Sequence, residues 1–76
     1  MEEAIVLTML SPNFSVDDLD VVRNVEGVAA ANFIYGPYDL FIKIHVDSRE
    51  ELRKVVDHIR SISGIKSTIT CNVIPD

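Results

Sequence analysis

The clearest pattern lies in the middle of the chain. From Leu40 to Val46, apolar side chains take every second position: Leu40, Ile42, Ile44 and Val46 share one side, and Phe41, Lys43 and His45 the other. A period of two predicts a β-strand with one buried face. Ala4 to Leu10, Val28 to Tyr35 and Ile65 to Ile74 also read as strands. Two segments carry the helical period instead. Ser48 is a candidate N-cap, with Glu51 as its partner in a capping box. Leu52, Val55, Val56, Ile59 and Ile62 then recur at helical spacing until Gly64. Ser15 opens the other helix, with Asp17 and Asp18 in its first turn, where the helix dipole favours negative charge. Val16, Leu19, Val22 and Val25 form its apolar side, and Gly27 closes it.

The order is therefore β-α-β-β-α-β, and an internal repeat supports it. Val22-Arg23-Asn24-Val25-Glu26-Gly27-Val28 is similar to Ile59-Arg60-Ser61-Ile62-Ser63-Gly64-Ile65, 37 residues later. Each copy joins a helix end, a glycine stop and a strand start. At the same offset Ile5, Leu7 and Met9 align with Ile42, Ile44 and Val46. Two βαβ units with right-handed crossovers predict an α+β, ferredoxin-like fold: a four-stranded antiparallel sheet with both helices on one face.

Such a fold leaves one sheet face open. With Leu40, Ile42 and Ile44 under the helices, the open face carries Phe41, Lys43 and His45. The first strand is apolar on both faces, Ile5, Leu7 and Met9 alternating with Ala4, Val6 and Leu10. In the second, either Ala29, Ala31, Phe33 and Tyr35 or Val28, Ala30 and Ile34 point outward. In the fourth, Ile69, Cys71 and Val73 are expected inside and Thr68, Thr70 and Asn72 outside. A fully solvated face would be more polar. The expectation is a sheet-on-sheet dimer of the α/β-barrel type, with Val6, Phe41, Lys43 and His45 in its contact.

Composition narrows the class. The 76 residues make one domain, 1–76, with a net charge of −5 and seven Lys and Arg, too few for a basic nucleic-acid footprint. A domain of this size buries only about 60% of its unfolded surface. With no metal or disulfide framework in view, oligomerisation is the expected staple. No apolar run is long enough to span a bilayer, and the start lacks the positive region of a signal peptide. One cysteine makes no intrachain disulfide, so a cytoplasmic protein is expected.

Enzyme signatures are scarce. Cys71 reads as a small core residue, and His58 as a solvated helix residue. His45 reads as an interface histidine on the open face. No C-x-x-C, H-x-x-x-H or carboxylate loop points to a metal, no glycine loop to a phosphate, and no cofactor is expected. RNA-binding domains of this strand order display aromatic residues among basic ones, whereas here the third strand holds one aromatic, Phe41. The remaining motif is Gly36-Pro37-Tyr38-Asp39. A ring with a hydroxyl, a carboxylate and free backbone N–H groups suit a zwitterionic small molecule. The same residues also suit a plain hairpin turn held by Asp39.

The chain resembles the C-terminal effector (RAM) domain of the Lrp/AsnC family along nearly its whole length. Four segments carry the resemblance: Ala4-Ile5-Val6-Leu7-Thr8; Val25-Glu26-Gly27-Val28 leading to Ala30, Ala31 and Phe33; Gly36-Pro37-Tyr38-Asp39-Leu40 followed by Ile42-Lys43-Ile44; and Ile62-Ser63-Gly64-Ile65-Lys66-Ser67-Thr68 before Ile69-Thr70. The resemblance implies dimers formed through the open faces, rings of eight or ten subunits, and amino-acid effectors in clefts between dimers. By position, Gly36, Tyr38 and Asp39 become effector-site candidates, with Thr68 and Thr70 beside them. Pro37 departs from the family, where this position is often polar. The family's N-terminal helix-turn-helix has no counterpart before the first strand. A stand-alone module is therefore expected, with full-length regulators as possible partners. Three alternatives stay open: an ACT-like amino-acid sensor, a small dimeric α/β-barrel enzyme using His45 or His58, and an assembly-only partner of regulators.

Overall fold

The computed structural model describes residues 1–75. Six elements follow in the expected order: β1 (Glu2–Leu10), α1 (Val16–Arg23), β2 (Val28–Phe33), β3 (Leu40–Val46), α2 (Arg49–Arg60) and β4 (Ile65–Asn72). The strands form one antiparallel sheet in the order β2-β3-β1-β4. α1 packs on β2, and α2 lies over β1, β3 and β4. The fold is ferredoxin-like, as the pattern predicts.

Local chemistry explains both helix starts, with one exchange against expectation. The reciprocal capping box forms at α1: the Asp18 N–H donates to Ser15 Oγ, and the Ser15 N–H donates to Asp18 Oδ2 at 2.8 Å. At α2 the Glu51 N–H donates to Ser48 Oγ (3.2 Å), but the Glu51 carboxylate takes the Ser48 hydroxyl instead of its backbone N–H. Both helices end before their glycines, at C-caps Asn24 and Ser61. A turn follows in each copy of the repeat, closed by Val28 N to Val25 O and by Ile65 N to Ile62 O. Gly27 and Gly64 sit third in these turns with φ of +99° and +94°, a conformation that disfavours any side chain. The repeat is thus a repeated turn, placed just after the helix end.

The core lies between helices and sheet. Leu40, Ile42 and Ile44 from β3 meet Leu19 and Val22 of α1 and Leu52, Val55 and Ile59 of α2, all buried. Fully burying one such side chain contributes roughly 1.5–3 kcal/mol. β1 supplies the smaller side chains of this layer, Ala4, Val6 and Thr8, each fully buried. Val6 therefore belongs to the core and not to the open face. It pairs with Ile42, whereas Leu7 pairs with Phe41 and Ile5 with Lys43. The repeat alignment of Ile5 with Ile42 is out of phase by one residue, because a strand apolar on both faces does not reveal which face is inside.

β4 is also reversed. Ile69 pairs with Leu7 and Cys71 with Ile5, so both face the open side, and Cys71 is exposed. Thr68 pairs with buried Thr8 and Thr70 with Val6, on the helix side. β2 follows neither expected option. A bulge at Ala29 puts Val28 opposite Ile44 and Ala31 opposite Ile42, both inside, and leaves Ala30 and Asn32 opposite Lys43 and Phe41. Phe33 pairs with Leu40 and meets Phe14 edge to face, ring centroids 6.2 Å apart.

Candidate functional site

The segment from Ile34 to Asp39 joins β2 to β3 at one end of the sheet. Gly36 has φ of +138°, and a Cβ there would meet nothing within 4 Å. It is glycine for its backbone angle and not for close packing. Tyr35 is fully exposed, while Tyr38 and Asp39 are half-buried. Pro37 gives up a backbone donor and fixes the loop before Tyr38.

Asp39 holds three connections. Its N–H donates to Thr8 O (2.9 Å), its carbonyl accepts from Ile34 N (3.0 Å), and its Oδ2 accepts from Leu10 N (2.9 Å). The last bond falls where the β1–β4 register shifts between Met9 and Leu10. The carboxylate thus satisfies a β1 N–H that lies beyond the last β1–β3 pair, Thr8 with Leu40. Among the described residues, Oδ1 and the Tyr38 hydroxyl have no hydrogen-bond partner. The loop is therefore a fixed turn that still presents one carboxylate oxygen and one phenol.

Gly36, Tyr38 and Asp39 are brought together here. Thr68 and Thr70 are not: Thr70 borders a groove with Leu52 and Val56 of α2, and Thr68 one with Arg60. Phe41, Lys43 and His45 share the open face as expected, Phe41 half-buried and the other two exposed. Ile5, Leu7, Ile69 and Val73 stand beside them where Val6 was expected.

A cleft of about 430 Å³ lies at the other end of β3. Glu26, His45, Asp47, Glu51, Lys54 and His58 line it above a floor of Gly27, Val46 and Val55. Sequence reading missed it. Its only trace in the sequence is the i, i+3, i+7 series Glu51, Lys54, His58 on one side of α2. Among the described residues, no group of three or more His, Cys, Asp or Glu is arranged to hold a metal ion, and no helix is long and apolar enough to cross a membrane.

Comparison with known proteins adds to this geometry. TTHA0845 from Thermus thermophilus superimposes with a TM-score of 0.91 at 28% identity, covering 100% of this chain and 96% of that one. Escherichia coli AsnC gives a TM-score of 0.86 at 26% identity over 99% of this chain and 52% of its own. The homocitrate synthase of Sulfolobus acidocaldarius is 34% identical over 50 residues, which is 66% of this chain but only 11% of that enzyme's length. A family model described as the Lrp/AsnC ligand binding domain matches residues 6–75. The chain belongs to the Lrp/AsnC ligand-binding domain family.

Proposed function

We propose that this domain is an amino-acid-binding module of Lrp/AsnC-type regulation that works as a homo-oligomer, also joins full-length regulators of the family, and makes no DNA contact through these residues. Its ligand is held at the Gly36-Pro37-Tyr38-Asp39 loop, completed by a neighbouring subunit. Membership of a ligand-binding family over residues 6–75 is the observation that carries the reading. Both helices are committed to covering the sheet, and the net charge of −5 disfavours a phosphate backbone. Asp39 Oδ1 suits a ligand ammonium, the Tyr38 hydroxyl a carboxylate, and the loop's own bonds hold both in place. The module is read as a sensor and not as a catalyst.

Pairing through the open face is part of the proposal. Ile5, Leu7, Phe41 and Ile69 form its apolar centre, with Lys43 and His45 at the margin. β4 supports this reading. It presents Ile69 and Cys71 to the open side and Thr68 and Thr70 to the helices. An edge strand that turns apolar residues away from the helix layer is patterned for a second cover.

Calorimetric titration with each proteinogenic L-amino acid tests the site. One of them binds, and Asp39→Asn weakens it about tenfold or more, while Tyr38→Phe weakens it less. Equal affinity in both variants, or no binding by the parent protein, contradicts the assignment. The match to homocitrate synthase favours a second reading, in which the same module serves an enzyme instead of a DNA-binding regulator. Native mass measurement after mixing with a full-length family regulator separates the two, since only the first reading expects mixed assemblies.

A further inference from the structure

We infer that the cleft at the far end of β3 is a second small-molecule site, for a dipolar ligand whose ammonium and carboxylate are separated by an aliphatic stem. The inference goes beyond the loop site and does not rest on it, because the two lie at opposite ends of the same strand.

Three segments enclose the cleft: the turn at Glu26 and Gly27, the end of β3 from His45 to Asp47, and the α2 side that carries Glu51, Lys54, Val55 and His58. Its volume of about 430 Å³ lies within the range of pockets that hold small ligands. The charges are of both signs, and Glu51 stands one turn before Lys54 on the α2 side. α2 contributes the ammonium of Lys54, with His58 one turn further on. The turn and the strand end contribute the carboxylates of Glu26 and Asp47.

These groups are unspent. Among the described residues, the side chains of Glu26, Asp47, Lys54 and His58 make no hydrogen bond or ion pair, and Glu51 meets only Ser48. Gly27, Val46 and Val55 leave an apolar floor between the charged walls, and Val46 and Val55 are held rigid by burial in the core. A carboxylate placed at Lys54, a methylene stem along the floor and an ammonium between Glu26 and Asp47 would satisfy all three parts. A simple anion leaves the acidic wall unpaired, and a simple amine leaves Lys54 unpaired.

The probe is ε-aminocaproate, with caproate and hexylamine as half-ligands, followed by amide chemical shifts of the full chain. Saturable shifts at Gly27, Asp47 and Lys54 are expected, with each half-ligand binding at least about fivefold more weakly. Lys54→Met and Glu26→Gln, both at exposed positions, should each weaken the probe about fivefold or more, and Asp39→Asn should leave it unchanged. The inference is overturned if no cleft amide moves or if the half-ligands bind as well as the whole probe. It is equally overturned if the shifts appear only at Tyr38 and Asp39, or if the Lys54 and Glu26 variants bind like the parent. A failure of the loop assignment leaves all of these readouts untouched.

Discussion

The two faces of the sheet are built from the same four strands and have different tasks. Under the helices, Leu40, Ile42 and Ile44 interlock with α1 and α2, and Thr8 is the one buried polar side chain among the described residues. On the other face, Ile5, Leu7, Phe41 and Ile69 stand among Lys43, His45 and Cys71. The first surface is closed by its own chain. The second has the apolar content of a core without a cover from the described residues. The contrast separates what holds the fold from what is left for recognition, and substitutions on the two sides of one strand should have unlike consequences.

The largest effect belongs to the closed face. Ile42→Ala removes a fully buried side chain, and urea unfolding should show a loss of about 2–5 kcal/mol, much of the stability of so small a domain. Its sequence neighbour on the open face should behave differently. Phe41→Glu should lower the mass seen by light scattering to that of a monomer while the far-ultraviolet circular dichroism keeps its native shape. Gly27→Ala comes next. Its Cβ would lie 2.7 Å from Val55 Cγ2 at a φ that L residues avoid, so a loss of about 1–3 kcal/mol in urea unfolding is expected. The smallest effect has the opposite sign. Thr8 Oγ1 is buried without a partner, and Thr8→Val should raise stability by about 1 kcal/mol, seen as a higher urea midpoint. If Thr8→Val destabilises instead, the closed face holds a polar contact that the packing does not reveal.

The sequence disclosed these faces unevenly. β3 was legible in full, because strict alternation from Leu40 to Val46 fixes element, span and phase together. The element order and both helix starts followed from period and capping chemistry. The phase of β1 did not, since Ala4-Ile5-Val6-Leu7 is apolar in both registers and only pairing with β3 decides between them. The phase of β4 was misread for an instructive reason. The assumption that apolar residues face the helices fails at an edge strand whose open side carries the apolar residues. In β2, one extra residue at Ala29 breaks the alternation that would have revealed the face. As for the loop, Gly36, Tyr38 and Asp39 were found as one contiguous motif. The bond from Leu10 N to Asp39 Oδ2 spans 29 residues and leaves no local signal. The cleft was missed because its walls come from three separated segments.

The most direct test of the account is the native mass of the purified protein, by light scattering, with and without a mixture of the proteinogenic amino acids. The account predicts a multiple of the dimer whose size or stability responds to one of them, as linkage between binding and assembly requires. A monomer in both conditions would contradict it, because the open face would then be solvated as it stands.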